Sequence, residues 1–392
     1  MFKTKKLNSL KTALAFGALL LAILSCTISR VEPLTTPTAP SANFTPDYTG
    51  LGTPVRNSNL IGIPMQVGYG YRSAFFDVYF TDPLNTNASK HEGGLDMPLD
   101  KSIDEARISI DLAIYSINSY PIRDALIRAK KRGVEVRMVM ESDNMKDPVP
   151  LELKKAGIPI VGDRRQGLMH NKFMVVDRAE VWTGSMNFTV SGIYEDNNNL
   201  IRIHSNKVAK DYLVEFDEMF KHDYFGPDTV AETPYPYVVI DGMPMEIYFS
   251  PDDHVANRIA QLLRGAKQSI YFMSYALTAN DFGEILKDKS QEGMPIAGIL
   301  EDSQIKSGLG SEYNFLKQAG MSIYKDGNPG LMHHKVFIID QQIVITGSYN
   351  FTSSAETTND ENVTIIFDKQ VAARYMEEYQ RVYTQAIKAQ NN

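Results

Sequence analysis

Histidine, lysine, serine and asparagine recur twice in this chain at one fixed spacing. "GLMHNKFMVVD" ends at Asp177 and "GLMHHKVFIID" ends at Asp340, and each aspartate is separated by six residues from Gly-Ser-x-Asn-Phe-Thr. The first set is His170, Lys172, Ser185 and Asn187, and the second is His333, Lys335, Ser348 and Asn350. An imidazole can act as a nucleophile and as a proton carrier near neutral pH. A lysine ammonium meets phosphate as a point charge, while serine and asparagine donate neutral hydrogen bonds. Each set can therefore converge on one oxyanion. A single set could be an accident of packing, but two at one offset are hard to explain that way.

The elements that carry these residues can be read from the pattern. "MHNKFMVVD" reads as a strand, and its alternation puts His170 and Lys172 on one face, as it does His333 and Lys335. Ser185 with Asn187, and Ser348 with Asn350, stand in the same i, i+2 relation. Gly184 and Gly347 would let backbone come close to a ligand. In "PIRDALIRAKKRG", Ile122, Ala125, Leu126 and Ala129 form one helical stripe that Gly133 can close, and "VEVRMVM" follows as a buried strand.

The repetition is wider than the motif. "ISIDLAIYSI" (108–117) matches "QSIYFMSYAL" (268–277) at an offset of 160, and "LKKAGIPIV" (153–161) matches "LKQAGMSIY" (316–324) at 163. Offset 163 continues through both motifs and pairs Tyr212 with Tyr375 and Phe216 with Tyr379. A period this long excludes a short solenoid repeat. It implies two whole domains, 61–225 and 244–390, joined by a Pro-rich linker, 226–243. Alternating helices and apolar strands make each a layered α/β domain, a sheet covered by helices. Two such copies should pack about a pseudo-twofold axis, like a homodimer fused into one chain.

The 392 residues, 43% hydrophobic and 22% charged, suit a globular protein of this size. At the start, Lys3, Lys5, Lys6 and Lys11 accompany the apolar "TALAFGALLLAILSC", which is too short to span a bilayer comfortably. This segment, 1–25, resembles a bacterial lipoprotein signal in which Cys26 becomes the lipidated first residue. That would make the protein an exported, membrane-anchored lipoprotein of the cell envelope. A plain secretory peptide with an incidental cysteine is the other reading. Cys26 is the only cysteine, so an exported form has no intramolecular disulfide. Residues 26–60, rich in Thr, Pro, Ser and Asn, read as a flexible tether. Loss of residues 1–25 removes four lysines and no acid, taking the formal charge from −7 to −11. That argues against a generally basic, nucleic-acid-coating surface, though not against a basic groove.

H-x-K-x4-D-x6-G-S-x-N resembles the HKD motif of the phospholipase D superfamily, and both copies fit it throughout. The resemblance implies tandem phospholipase D-like α/β sandwich domains whose motifs face each other across one active site. It implies a phosphodiester substrate and no cofactor or metal, with one histidine attacking phosphorus to form a phosphohistidine. The other would protonate the leaving alcohol and then activate water. On that pattern His170, Lys172, Asn187, His333, Lys335 and Asn350 line the site. Ser185 and Ser348 support it, and Asp177 and Asp340 are structural. Twenty-eight residues after His333 lies Glu361, where the family's carboxylate holds the histidine's other ring nitrogen; the same count from His170 reaches Asn198. Paired within each copy, these would leave His170 the more readily neutral and His333, beside Glu361, the proton holder. Asp196 could restore a carboxylate to the first copy.

"GSYNFTSSAETTNDENV" looks most like the small bacterial endonucleases of the superfamily and mitochondrial cardiolipin hydrolase. Phe-Thr after the asparagine argues against a phosphatidyltransferase. A nuclease is the leading expectation, and a phospholipase D acting on lipid head groups is the alternative. A non-enzymatic binding lipoprotein would need degraded motifs, and neither is degraded. Arg164 and Arg165, just before His170, could hold a second phosphate of a polymer or could form a solvated basic turn.

Overall fold

The computed structural model describes residues 58–164, 167–308 and 310–391. The signal-like segment, Cys26, most of the tether and Arg165 lie outside the described residues. The first half carries β1 (Ile61–Ile63), β2 (Tyr69–Arg72), β3 (Phe76–Phe80), β4 (Ser109–Ile114), β5 (Glu135–Met140), β6 (Ile160–Gly162), β7 (Lys172–Val176), β8 (Glu180–Gly184) and β9 (Asn199–His204). The second carries β10 (Tyr237–Ile240), β11 (Met243–Ser250), β12 (Ile270–Ser274), β13 (Ile296–Leu300), β14 (Ser322–Lys325), β15 (Lys335–Ile339), β16 (Ile343–Gly347) and β17 (Glu361–Phe367).

The sheet orders are β1-β2-β3-β9-β8-β7-β4-β5-β6 and β10-β11-β17-β16-β15-β12-β13-β14. Apart from the extra edge strand β1, they are one topology written twice. In each sheet, three strands run parallel through helical crossovers and the remainder are antiparallel. The helix Tyr120–Arg132 buries Ile122, Ala125, Leu126 and Ala129, and Gly133 closes it at φ 92°. The stripe and the cap are those the sequence predicts.

Each motif hairpin turns through two left-handed residues, Asp177–Arg178 (φ 52° and 57°) and Asp340–Gln341 (φ 53° and 51°). These type I′ geometries match the twist of the flanking strands. The aspartates do a second task. Asp177 Oδ1 accepts from the backbone N–H of Arg107, Ile108 and Ser109, and Asp340 Oδ1 from Lys267, Gln268 and Ser269. Each thereby fixes the entry to the central strand beside it.

Two expectations need correction. Residues 237–243, read as linker, form β10 and the start of β11, so the Pro-rich connection ends at about Pro236. The hairpin turns at Asp241–Gly242 (φ 53° and 76°), a turn dipeptide between alternating apolar residues. Strands β7 and β15 also begin at the lysines, two residues after the histidines. The residues before them bridge to the opposite half instead: Met169 pairs with Asp360 and Asn197 with Met332, both in parallel.

A core cluster crosses between the halves. It runs from Val78, Phe173 and Tyr212 into Met245, Val336, Ile366 and Tyr375, and the second half has a further cluster of its own around Phe272, Phe337 and Phe351. Tyr212 reaches across to Thr364 and Asn362, and Tyr375 reaches Asn199. Thr183 donates to Asn362, and Thr346 to Asn199, at 2.7 and 2.9 Å. His334, on the strand face opposite His333, is buried in this seam between Asn199 and Glu378. Burial would raise the Glu378 pKa, but Arg381 and His334 outweigh it and hold the carboxyl at about 2.

Candidate active site

The bridging segments determine which side chains meet. His170 N–H donates to Asp360 O at 3.0 Å, and His333 N–H to Asn197 O at 2.9 Å. Each histidine is thus set beside the residue that follows its bridge partner in the other half. His170 Nδ1 lies 2.9 and 2.8 Å from the two Glu361 oxygens. His333 Nδ1 lies 3.0 Å from Asn198 Oδ1. The pairing expected within each copy is therefore wrong: the contacts cross between copies. Asp196 does not restore a carboxylate to either ring, because its Oδ1 accepts from Leu331 N–H.

A serine completes each relay. Ser348 Oγ donates to Glu361 Oε2 at 2.7 Å, and Ser185 Oγ to Asn198 Oδ1 at 2.8 Å. Gly184 and Gly347 let the motif strands pass close to their neighbours. With φ of 147° and 152°, they pass so close to the next strand that a Cβ would sit 2.4 Å from Asn199 O or 2.1 Å from Asn362 O. Gly167 and Gly330 likewise let the motif segments cross: an added Cβ would meet Thr358 O or Glu195 O of the opposite half at 2.2 Å.

Lys172 and Lys335 are each 1% exposed. Each donates to the carbonyl of its own histidine, at 2.7 and 2.9 Å, and lies over a tyrosine ring, Tyr115 at 5.1 Å and Tyr275 at 4.8 Å. Among the described residues, neither ammonium has a carboxylate within ion-pair distance. The same tyrosines pack edge-on against His170 and His333. Glu141 and Glu301 hold the segments from behind by accepting from Met169 and Met332 N–H. Sequence reading missed these tyrosines and glutamates, although each pair repeats at offset 160.

The electrostatics follow from burying several basic groups together. Burial drives the His170 pKa down to about 4 against the pull of Glu361, and Lys172 and Lys335 add to the drop. His333 is held well below the usual histidine value by burial and then by Lys335, Lys172 and His170. Burial brings Lys172 to about 7, and burial with repulsion from Lys172 takes Lys335 well below the usual lysine value. Glu361, which burial would raise, is held down by His170 and Lys172, so it is ionised. Two lysines and two imidazoles are thus gathered where an anion would relieve their repulsion across the halves.

Asn187 and Asn350 follow the ends of β8 and β16, and each has a buried Oδ1 without a hydrogen-bond partner among the described residues. Asp177 and Asp340 sit at the far ends of the motif strands, roughly 20 Å away at strand rise, and do not enter the site. Arg164 pairs on the surface with Asp223 at 2.9 Å. Among the described residues, no group of three or more His, Cys, Asp or Glu side chains is placed to hold a metal ion.

Two tandem copies of one α/β unit, with two H-x-K motifs meeting at their seam, define the class. The chain belongs to the phospholipase D superfamily: residues 99–220 and 259–383 match the family described as "Cardiolipin synthase, PLD-like domain". It is 35% identical over 131 residues to "Phospholipase D" of Rickettsia typhi, covering 33% of this chain and 64% of that one. It is 31% identical over 129 residues to human "Mitochondrial cardiolipin hydrolase", covering 33% and 51%. The chain thus spans less than two thirds of the length of either relative. The structure of phosphatidylserine synthase from Haemophilus influenzae Rd KW20 shares the fold, with a TM-score of 0.59 at 11% identity, over 84% of this chain and 89% of that one.

Proposed function

We propose that this protein hydrolyses phosphodiesters through a covalent phosphohistidine on His170, without a metal ion. The observation that carries the reading is the crossed pairing of His170 with Glu361 and His333 with Asn198. A neutral His170, its Nδ1–H donated to Glu361, presents the Nε2 lone pair. That nitrogen forms the N–P bond while the P–O bond to the leaving alcohol breaks, and the alkoxide oxygen takes the proton from His333 Nε2. The ring of phosphorylated His170 is cationic, and Glu361 stabilises it as a carboxylate stabilises the imidazolium of a hydrolase triad. Water then attacks phosphorus, its proton passes to His333 Nε2, and the P–N bond breaks. The buried lysines supply positive charge where the non-bridging oxygens gather it, so the site brings its own electrostatic stabilisation.

His170 is thus the nucleophile for a reason different from the one the spacing suggested. It is the histidine whose acquired charge meets a full counter-charge. The amide behind His333 suits a group that must give its proton away.

Nucleic acid is the substrate class proposed from the sequence around the motifs. A specific observation favours a second reading, phospholipid head groups: the relatives named above are a phospholipase D and a cardiolipin hydrolase. Attachment of the exported chain to a membrane through Cys26 would suit the second reading in particular, and a Cys26→Ser chain should then take up no labelled fatty acid. The deciding experiment incubates residues 27–392 in EDTA with plasmid DNA and with phosphatidylcholine and cardiolipin vesicles in parallel. Cleavage of either class that is lost by at least about 10²-fold in both His170→Ala and His333→Ala supports the phosphodiesterase, and the class cleaved names the substrate. Activity that needs an added metal, or that survives either substitution, contradicts it.

A further inference from the structure

Glu361 and Asn198 occupy equivalent places in the two halves, and both are fully buried. The amide of Asn198 cannot turn over. Its Nδ2 donates to Gly192 O at 2.9 Å, so Oδ1 is committed to Ser185 Oγ and His333 Nδ1. Its backbone N–H is tied to Thr81 Oγ1 at 2.7 Å. The ring of His333 is therefore fixed with a proton on Nδ1, and Nε2 becomes a donor only when the whole ring is an imidazolium.

The groups that face this ring do little to favour that cation. Lys335 on the same strand and Lys172 and His170 from the other half all oppose it. The Tyr275 ring stands edge-on at 4.9 Å. The carboxylates in the neighbourhood are spent on the backbone: Asp196 on Leu331 N–H and Glu301 on Met332 N–H. The backbone of Ser185 is the contact that favours the charged ring.

We propose that Asn198 is a positioning residue that sets the working range of the enzyme on the acid side of neutrality, by denying His333 the carboxylate that His170 has. The proposal rests on the reading of His333 as the acid for the leaving group. Substrate phosphate brings the negative charge that lets His333 protonate, but with an amide behind the ring this happens only at lower pH. Turnover of a substrate with a poor leaving group should then fall as pH rises through the His333 pKa in the bound complex.

The test compares wild type with Asn198→Asp, measuring kcat against pH for a dialkyl phosphodiester. The first-turnover burst is measured for a p-nitrophenyl phosphodiester, whose leaving group needs little protonation. A carboxylate at hydrogen-bond distance should move the alkaline limb of the dialkyl profile up by about 1 pH unit or more. Loss of charge on the lysines sets any alkaline limb of the nitrophenyl burst, which should therefore lie at the same pH in both proteins. A dialkyl limb that stays in place in Asn198→Asp overturns the proposal. A nitrophenyl limb that moves with the dialkyl limb instead overturns the role given to His333, which separates the two failures. The His333 Cε1 resonance, followed by 13C NMR with inorganic phosphate bound, tests the same point without turnover. It should titrate at lower pH in the wild type than in Asn198→Asp, and an unchanged His333 titration would refute the proposal.

Discussion

His170 and Glu361 stand 191 residues apart in the chain and meet at 2.8 Å, each buried, across the seam between the two halves. The motif histidine of one copy is thus paired with the carboxylate of the other. This contact turns two half-motifs into one site.

Replacing Glu361 with Gln keeps the volume but removes the charge that balances phosphorylated His170, and it allows the amide NH2 to face Nδ1. Turnover should fall by roughly 10²-fold or more, with folding intact by circular dichroism. Rapid-quench measurement should place the loss in formation of the phosphoenzyme. Near-normal phosphoenzyme formation in this variant would show that the carboxylate does not serve His170.

A chain that ends near Gly226 keeps His170 and Lys172 but loses Glu361, Lys335 and His333. It also exposes the apolar surface that the shared core buries. As a monomer it should be inactive, whereas co-expression with the matching second half should restore turnover. Full activity in a monomeric first half, checked by light scattering, would contradict the shared site.

Oxyanion binding should be linked to proton uptake. In the free protein Lys172 lies near 7 and Lys335 well below its usual value, both pushed down chiefly by burial. A bound phosphate or vanadate raises them, so the complex holds more protons than the free protein. Affinity should be flat below the free pKa values and fall as pH rises through about 7. Calorimetry at pH 7.5 (roughly half a unit above that value) in buffers of differing ionisation enthalpy should report net uptake. Absence of net uptake would mean that the lysines are already charged.

Much of this was legible in the sequence, and for a physical reason: duplication lets each copy act as a control on the other. The paired motifs and the stripe of the Tyr120–Arg132 helix could be read from residue type and spacing alone, while the structural role of Asp177 and Asp340 came from the family resemblance. The partner of each histidine could not. Counting 28 residues reaches Glu361 from His333 and Asn198 from His170, but a count along the chain is blind to a twofold axis that exchanges them. The seam residue His334 was likewise invisible, because Glu378 and Asn199 reach it only once the halves have packed. The β10–β11 hairpin could have been found, since Asp241–Gly242 is a turn dipeptide between alternating apolar residues.

Asp177 offers a stability test away from the chemistry. Asp177→Ala would leave the N–H groups of Arg107, Ile108 and Ser109 without their acceptor. The expected cost is about 1–3 kcal/mol by denaturant unfolding, given that solvent reaches part of the turn. The kcat of the folded fraction should change little. A large loss of kcat without loss of stability would place Asp177 in the chemistry rather than under it.

The central claim, that Glu361 makes His170 the nucleophile while Asn198 leaves His333 as the proton donor, is tested most directly by locating the covalent phosphate. The protein is mixed with a p-nitrophenyl phosphodiester, quenched within the first turnover and digested, and the phosphorylated peptide is sequenced by mass spectrometry under conditions that preserve phosphohistidine. The account predicts the adduct on His170 in the wild type, its accumulation in His333→Ala and its absence in His170→Ala. An adduct on His333 in the wild-type protein would contradict it.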